Sequence, residues 1–425
     1  MNNYNYKCSG CGKEYSPAEI ENNFQYLCPF CGKAEKNKPL EGVLQIIYDY
    51  SELKHSLSRT DFLKNPVGKF WYYPQLWPLE FSNNQNELVN KIPDYKLKRL
   101  SLNSSSYLQI NYDGIEIFIL DETRNPTLSY KDRASIITAI KGIQLDVKEI
   151  AAASTGNAGS SLAGICSRLG INSHIFVPAN IPDAKRIQIQ SFGANIYKVD
   201  GSYDDAFDLC LEISAHKKWY NRNTGYNPIT IEGKKSAAFD IFISSGGKIP
   251  DVIFVPVGDG VIISGIFKGF WELLQLGWIE KLPRLIGVQA EGSNALVKYL
   301  ESGEFNFIPA HTIADSICAG APRNLYMASQ SIKNSNGEAV SVTDDDIISA
   351  QKIIAKDFGI LAEPSSAACL AGYIKKINLN EIDKNERILL LITGNGLKDT
   401  NSLNNWNEPP PVLTYNKWLE KFNIK

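Results

Sequence analysis

Lys131 stands at an unfavourable place for a charged side chain. It follows the turn-like run NPTLSY and begins a segment with the pattern of a helix. The first turn of a helix carries partial positive charge, so an ammonium group is disfavoured there and a neutral amine is favoured. A neutral amine is a nucleophile and a proton acceptor. Lys131 is therefore either a solvated surface residue or a reactive lysine.

The segment STGN at 154–157 has the composition of a ligand-binding turn. It follows the apolar run EIAAA and precedes a helical pattern. Its hydroxyl, amide and backbone N–H groups suit a carboxylate or a polar ring substituent. The same residue types also form an ordinary helix cap.

Two further polar segments follow apolar runs. GDGVI at 258–262 lies between DVIFVPV and a helical pattern, so it either holds a phosphate through glycine backbone and helix dipole or forms a plain tight turn. It matches neither the P-loop nor the GxGxxG pattern. Thr393, in ITGNGLKD, follows RILLLI and either faces a cleft or belongs to a glycine turn.

Four cysteines form a second candidate site. Cys8, Cys11, Cys28 and Cys31 make two C-x2-C pairs, and Gly-Lys follows each pair. Four thiolates suit a tetrahedral Zn²⁺ ion, whereas the alternatives are two disulfides or a redox dithiol. The doubled pair favours structural zinc. Residues 1–40 are too few to bury a core, so we expect metal to contribute the folding energy of a zinc ribbon.

The segments that must position these residues alternate between strand and helix patterns. This alternation predicts an α/β protein with right-handed crossovers, parallel-rich sheets and two blocks separated by a cleft. Ligands gather at the carboxyl ends of parallel strands, where the three polar segments lie. The predicted strands are 115–120, 149–154, 173–179, 194–200, 251–257, 284–290 and 387–393, and the predicted helices are 131–142, 157–169, 183–192, 203–216, 232–244, 262–276, 344–358 and 365–376.

Composition excludes several classes of function. The chain has 425 residues, of which 44% are apolar and 21% charged, and its formal net charge is −2. A nearly neutral chain has no basic field to attract nucleic acid or an anionic membrane. No secretory signal or membrane span is visible in the sequence. We therefore expect a cytoplasmic protein.

The motifs together resemble those of threonine synthase and related fold type II pyridoxal-phosphate enzymes. NPTLSYKDR is similar to the family's NPTGSFKDR, STGNAG to its STGN, EGKKSAAFDI to its EGQKT and ITGNGLKD to its TGHGLKD, all in the same order. The resemblance runs from about residue 40 to about residue 400. It implies a large cofactor-binding domain of residues 41–123 and 221–425, a small α/β domain of residues 124–220 and a homodimer.

The resemblance also implies roles for individual residues. Lys131 would bind the cofactor covalently and then act as general base and acid. Thr393 would face the pyridine nitrogen, and Asn157 would contact the ring hydroxyl. The substrate would be bound by Ser154, Thr155, Asn223 and Thr224, and the cofactor phosphate by Gly258, Asp259, Gly260, Val261 and Ile262.

The implied reaction converts O-phospho-L-homoserine and water to L-threonine and phosphate by γ-elimination and β-addition. The alternatives are a related β-replacement or β-elimination on another serine- or threonine-derived amino acid, as in cysteate synthase, and a zinc-ribbon binding protein that has lost catalysis. Thr230 stands where the family has an arginine that binds the substrate phosphate. The candidates to replace that arginine are Lys185, Arg186, Lys234 and Lys235.

Two other departures from the family pattern concern the cofactor pocket. Leu128 stands where the family has a glycine in the lysine motif. Asp259 lies in the phosphate loop, where a carboxylate is tolerable only if it points away from the phosphate.

Overall fold

The computed structural model describes residues 4–81, 92–154 and 156–424, which form three β-sheets flanked by helices. The strands are β1 (Tyr4–Cys8), β2 (Glu14–Tyr15), β3 (Leu44–Tyr48), β4 (Tyr107–Tyr112), β5 (Ile115–Asp121), β6 (Glu149–Ala153), β7 (Asn172–Pro178), β8 (Asn195–Val199), β9 (Tyr220–Asn221), β10 (Val252–Pro256), β11 (Arg284–Ala290), β12 (Glu338–Val342) and β13 (Ile388–Ile392).

The helices are α1 (Pro17–Glu21), α2 (Tyr50–Ser56), α3 (Arg59–Phe62), α4 (Asp94–Lys98), α5 (Lys131–Gln144), α6 (Asn157–Leu169), α7 (Asp183–Ser191), α8 (Tyr203–Lys217), α9 (Ile229–Ser244), α10 (Val261–Gln275), α11 (Ala295–Ser302), α12 (Leu325–Asn334), α13 (Asp344–Lys356), α14 (Pro364–Asn378), α15 (Thr400–Asn404) and α16 (Tyr415–Lys421). Short 3-10 turns lie at Phe70–Tyr72, Pro74–Leu76, Glu291–Ser293, Asp315–Ile317 and Gly396–Lys398.

The large sheet has the strand order β12-β11-β10-β13-β5-β4. Its strands pair in parallel except for β4, which is antiparallel to β5. Alternate residues of a strand face opposite sides, so Leu389 and Leu391 enter one core whereas Leu390 and Ile392 enter another. Helices α5, α9 and α10 contribute to the first core, and α13 and α14 to the second.

A smaller, all-parallel sheet has the order β8-β7-β6-β9. Helices α6, α7 and α8 pack against it. The central strands are buried on both faces, which explains their continuous apolar runs. The carboxyl end of β6 leads directly into the STGN segment and α6.

Helix α9 lies between α5 and α10 and is buried along nearly its whole length. Glycines allow this close packing. A Cβ on Gly233 would lie 2.3 Å from the carbonyl oxygen of Arg133, and one on Gly265 would lie 2.6 Å from the Cβ of Lys234. Close packing therefore fixes the positions of α5, α9 and α10 relative to one another, and each of these helices contributes residues to the pocket described below.

The N-terminal sheet, of order β2-β1-β3, joins the body through buried polar contacts. The hydroxyl of Tyr48 donates to Glu232 of α9 at 2.7 Å. Lys268 of α10 donates to the carbonyl oxygen of Ile46 and pairs with Glu232. The sheet is thus attached to the same helices that support the pocket.

The predicted architecture, an α/β protein with parallel-rich sheets between helices, is confirmed. Residues 157–169 form a helix with both predicted ends, whereas 232–244 begins three residues earlier, at Ile229. Strand β12 and helices α11 and α12 were absent from the prediction. Within the described ranges, no helix combines the length and apolar character that membrane crossing requires.

Candidate active site

One pocket lies where the carboxyl ends of β6, β10 and β13 meet the start of α5, and we call it the Lys131 pocket. Its wall includes most of the residues proposed from the sequence. Those residues are Lys131, Ser154, Asn157, Thr224, Gly258, Asp259, Gly260, Val261, Ile262 and Thr393. Thr155 lies outside the described residues.

Backbone hydrogen bonds bring Lys131 and Thr393 together. The N–H of Tyr130 donates to the carbonyl of Thr393 at 2.8 Å, and the N–H of Asn395 donates to the carbonyl of Leu128 at 3.1 Å. Leu128 has a φ of 68°, a left-handed conformation that glycine adopts most easily. The turn before α5 is therefore fixed to the end of β13, and the first residue of α5 enters the pocket.

The Lys131 amine has an altered basicity. Its pKa is lowered to about 8, mainly by burial and in part by the nearby cations Arg222 and Lys185, whereas Glu363 and Asp259 act in the opposite direction. An amine with this pKa is partly neutral near pH 7 to 8 and can both accept and return a proton. This is the chemical property that the helix-start position suggested.

The next two residues after Lys131, Asp132 and Arg133, make buried contacts that stabilise the fold and do not line the pocket. Asp132 accepts hydrogen bonds from the backbone N–H of Thr127 at 2.7 Å and from the hydroxyl of Ser161 at 2.7 Å. Arg133 pairs with Glu122 and Asp240, each at 2.7 Å, and its side chain is fully buried. Of the three residues in KDR, only Lys131 lines the pocket.

The loop from Gly258 to Gly260 leads into α10 and forms a cradle that lacks side-chain bulk. Gly260 has a φ of 86°, and a Cβ there would lie 2.7 Å from the Cβ of Ala328. A Cβ on Gly258 would lie 2.9 Å from the Cα of Ile317. The backbone N–H groups at the start of α10, with its positive dipole end, suit a phosphate.

The carboxylate of Asp259 is held by groups outside the loop. One oxygen accepts from the hydroxyl of Tyr203 at 2.8 Å, and the other accepts from the backbone N–H of Arg323 at 3.1 Å. Both carboxylate oxygens therefore have hydrogen-bond partners outside the loop, as expected if the carboxylate points away from a bound phosphate.

Asn157 and Ser154 occupy the start of α6. The amide nitrogen of Asn157 donates to Glu363 at 2.7 Å and to Ser316 at 2.9 Å, whereas its Oδ1 atom is buried without a hydrogen-bond partner in the described part of the chain. The hydroxyl oxygen of Ser154 accepts from two glycine N–H groups, at 2.8 and 2.9 Å. Ser154 thus caps the helix while it lines the pocket.

Thr393 presents a neutral hydroxyl group at the end of β13. Its Oγ1 atom lies 3.1 Å from the Oγ of Ser366, which also accepts from the backbone N–H groups of Thr393 and Gly394. The two hydroxyls form a pair of neutral donors and acceptors. A neutral hydroxyl beside a ring nitrogen does not hold that nitrogen protonated as a carboxylate would.

The segment 223–230 divides between the pocket and the core. The hydroxyl of Thr224 lines the pocket and accepts from Arg222 at 2.9 Å. Asn223 does not line it, because its Oδ1 accepts from the backbone N–H of Ala153 at 2.6 Å. Thr230 is fully buried outside the pocket wall, and its hydroxyl donates to the carbonyl of Asn227 at 2.7 Å.

The structure distinguishes between the four cations that could replace the arginine missing at Thr230. Lys185 pairs with Asp315 at 2.6 Å, Arg186 with Asp183 at 2.9 Å, and Lys235 with Glu232 and Glu272 at 2.7 and 2.9 Å. Lys234 alone of the four lines the pocket.

Several pocket residues were missed by the sequence reasoning. Tyr203 begins α8, and the loop 316–319 and Ser365 complete the wall. The run EPSSAA at 363–368 carried a usable signal, because an acid and two serines at a helix start follow the pattern already noted at STGN. The loop 316–319 had no such signal, since only the tertiary fold places it opposite Asn157.

The four N-terminal cysteines converge at the other candidate site. The Sγ atoms of Cys8 and Cys31 are 3.4 Å apart, those of Cys11 and Cys28 are 3.7 Å apart, and all four lie within 4.8 Å of one another. Zn–S bonds of about 2.3 Å in a tetrahedron separate the sulfurs by about 3.8 Å. The N–H groups of Gly10 and Cys11 donate to the Sγ of Cys8, each at 3.3 Å.

Comparison with known proteins identifies the family. A family model described as "Pyridoxal-phosphate dependent enzyme" matches residues 97–394. The threonine synthase of Methanocaldococcus jannaschii is 34% identical over 412 residues, which cover 95% of each chain. That of Methanosarcina acetivorans is 34% identical over 420 residues, which cover 97% of this chain and 96% of the relative. The chain belongs to the threonine synthase family of pyridoxal-phosphate-dependent enzymes.

The fold agrees with this membership. The processed form of threonine deaminase isoform 2 from Solanum lycopersicum superposes with a TM-score of 0.60 at 22% identity, over 89% of this chain and 98% of that one. The predicted family, the fold type II architecture and the enzyme class, a pyridoxal-phosphate-dependent lyase, are confirmed.

The Lys131 pocket fits the family's cofactor. The unpartnered Oδ1 of Asn157 offers an acceptor for a ring hydroxyl, and the glycine cradle at the start of α10 leaves room for a phosphate. The neutral Thr393–Ser366 pair suits a ring nitrogen, and the Lys131 amine has the lowered pKa that attack on an aldehyde needs.

Proposed function

We propose that this protein is a threonine synthase, which uses pyridoxal phosphate to convert O-phospho-L-homoserine and water to L-threonine and phosphate. The observation that carries the proposal is the Lys131 pocket, in which a reactive amine, a phosphate cradle and a neutral hydroxyl pair converge. The similarity to threonine synthases along almost the whole chain supports the choice of reaction.

Each residue then has a physical role. When bound, pyridoxal phosphate stabilises negative charge on the substrate carbons next to the amino group. Lys131 binds the cofactor and afterwards moves protons at Cα and Cβ, for which its pKa of about 8 is suited. Thr393 faces the pyridine nitrogen without protonating it, which favours elimination and replacement over transamination. Asn157 contacts the ring hydroxyl.

The remaining residues bind anionic groups and substrate. Gly258–Ile262 hold the cofactor phosphate through backbone N–H groups. Ser154, which lines the pocket, and Thr155, the next residue in the sequence, bind the substrate carboxylate. Thr224, which also lines the pocket, contacts the substrate. For Asn223 the contact with Ala153 supports an indirect role, because it fixes the last residue of β6, next to Ser154.

A comparison of two phosphorylated substrates tests the reaction. We expect a kcat/KM for O-phospho-L-homoserine far above that for O-phospho-L-serine, with equal amounts of threonine and phosphate formed. The buried Thr230 is the observation that favours the alternative, a β-replacement enzyme of the cysteate-synthase type. Preferential release of phosphate from O-phospho-L-serine would select that alternative.

We also propose that Cys8, Cys11, Cys28 and Cys31 bind a structural zinc ion. The near-tetrahedral sulfur spacing and the N–H groups that donate to Cys8 support this proposal. Measurement of metal content tests it: one zinc per chain is expected, and a metal-free protein with the same unfolding temperature would contradict it.

Three coarser features complete the proposal. The separate four-stranded sheet supports a small domain of about residues 124–220 within a larger cofactor domain of residues 41–123 and 221–425. The metal-ligand spacing of the four cysteines, which suits thiolates better than disulfides, supports a cytoplasmic setting. A homodimer is proposed on the family resemblance, and light scattering of the purified protein would test it.

A further inference from the structure

The ammonium group of Lys234 is buried without a partner. Its side chain is fully buried, it lines the Lys131 pocket, and its Nζ atom has no hydrogen-bond partner among the described residues. The other buried lysines in residues 4–81, 92–154 and 156–424 each have a hydrogen-bond or ion-pair partner. They are Lys141, Lys185, Lys235, Lys268, Lys376 and Lys398.

The position of Lys234 is fixed on two sides. Its backbone carbonyl accepts from the hydroxyl of Tyr130, the residue before Lys131, at 2.7 Å. Its Cβ packs against Gly265, one turn after the start of α10, where any larger residue would clash. Lys234 is therefore held between the reactive amine and the helix whose N-terminal end forms the phosphate cradle.

The surroundings of Lys234 carry an excess of positive charge. Arg222 is fully buried, and its Nε and one terminal nitrogen also have no hydrogen-bond partner in the described chain. Burial holds the pKa of Lys234 well below its usual range, and Lys131 and Arg222 lower it further, whereas Asp259 acts against them. A buried cation without a counter-ion is strongly unfavourable, so an anion bound beside Lys234 and Arg222 would favour the charged form of the Lys234 amine.

Helical spacing relates Lys234 to the position where the family's arginine is missing. Thr230 and Lys234 are four residues apart on α9, so their side chains leave the helix on the same side, one turn apart. Thr230 is turned into the core, whereas Lys234 reaches the pocket. Lys234 thus provides a basic side chain one helical turn after Thr230, the position of the missing arginine.

We propose that Lys234 binds a phosphate group in the Lys131 pocket, either the phosphate of the substrate or that of the cofactor. This inference rests on the proposed function for the identity of the two candidate phosphates. The existence of the site does not depend on the proposed function, since the unpaired Lys234 amine and the glycine cradle are features of the structure. A phosphate between Lys234 and the start of α10 would neutralise the excess positive charge.

The first test uses apo protein and inorganic phosphate, so it needs no turnover. Lys234→Met keeps the length of the side chain and removes its charge. We expect phosphate to raise the unfolding temperature of the wild type but not that of Lys234→Met. Lys376→Met, which removes a buried lysine paired with Glu338 and Glu381 outside the pocket, should retain the response. An equal response in Lys234→Met would overturn the proposal.

The second test identifies the source of the phosphate. If Lys234 binds the cofactor phosphate, Lys234→Met should weaken binding of pyridoxal phosphate by about tenfold or more and leave binding of pyridoxal unchanged. If it binds the substrate phosphate, cofactor affinity should be retained, and the KM for O-phospho-L-homoserine should rise by a similar factor while Lys234→Arg recovers most of it. Wild-type values in both measurements would refute the proposal.

These arms separate the inference from the proposed function. If the wild type makes no threonine, the phosphate and pyridoxal measurements still decide whether Lys234 binds a phosphate. If it makes threonine and Lys234→Met behaves as the wild type in every arm, the function stands and the inference fails.

Discussion

An added methyl group at Gly260 tests the phosphate cradle. Gly260 has a φ of 86°, and a Cβ at this residue would lie 2.7 Å from the Cβ of Ala328. A non-glycine residue in the left-handed region is destabilised by about 1–2 kcal/mol. Overpacking of a filled site adds about 1–3 kcal/mol. Gly260→Ala should therefore lower the free energy of unfolding by about 2–5 kcal/mol.

The same substitution should weaken cofactor binding. Ala328 can be avoided only if the loop shifts, and that shift displaces the N–H groups at the start of α10 that face the phosphate. A hydrogen bond to a charged group contributes about 1.5–3 kcal/mol, so the loss of one such bond lowers the affinity for pyridoxal phosphate about tenfold or more.

Gly303→Ala is the matched control. Gly303 also has a left-handed φ, of 76°, but a Cβ there has no neighbour within 4 Å and it lies at the exposed end of α11. This variant should lose only the conformational part, about 1–2 kcal/mol, and bind the cofactor as the wild type does. Urea unfolding and cofactor titration measure the two effects. If Gly260→Ala bound the cofactor as tightly as Gly303→Ala, the cradle would not be the phosphate site.

Three other predictions follow from particular contacts. The rate at which apo protein takes up cofactor should rise with pH with a midpoint near pH 8, because the Lys131 amine must lose its proton and its pKa is lowered to about 8; a midpoint at about pH 10, as for an ordinary lysine, would contradict this. Arg133→Met should lower the free energy of unfolding by about 3–5 kcal/mol, since it leaves two buried carboxylates uncompensated, and a loss below about 1 kcal/mol in urea unfolding would refute the reasoning. Cys28→Ser should reduce zinc content and expose residues 4–48 to proteolysis, whereas Cys166→Ser, at a buried thiol away from the cluster, should do neither; unchanged metal content in Cys28→Ser would count against the zinc site.

The regular elements could be predicted from periodic patterns where local signals and packing agreed. Helix α6 has both of its predicted ends. In the structure Gly170, with a φ of 78°, terminates it as a C-terminal cap. Helix α5 was predicted to end at Gly142 but continues to Gln144. Gly142 does not end the helix; it allows α5 to pack closely against Ile150 of β6. The sequence does not distinguish a glycine that ends a helix from one that allows close packing.

The candidate site was predictable in its motifs and not in its contacts. Motif order placed Lys131, Asn157 and Thr393 in one pocket, and the structure shows that the carboxyl ends of β13 in the large sheet and β6 in the small sheet border that same pocket. The contacts of Asn223 and Lys234 depend on distant residues. Asn223 accepts a hydrogen bond from the backbone of Ala153. Lys235 pairs with Glu232, whereas the Nζ atom of Lys234 has no hydrogen-bond partner among the described residues.

The most direct test of the account asks which amine holds the cofactor. Two lysines, Lys131 and Lys234, line the same pocket, and desolvation lowers the pKa of both. Borohydride reduction of the holoenzyme, followed by proteolysis and mass spectrometry, fixes the cofactor to the amine that carries it. We predict that the label lies on the peptide that contains Lys131 and that Lys131→Ala loses it together with threonine formation. A label on Lys234, or full activity in Lys131→Ala, would contradict the account.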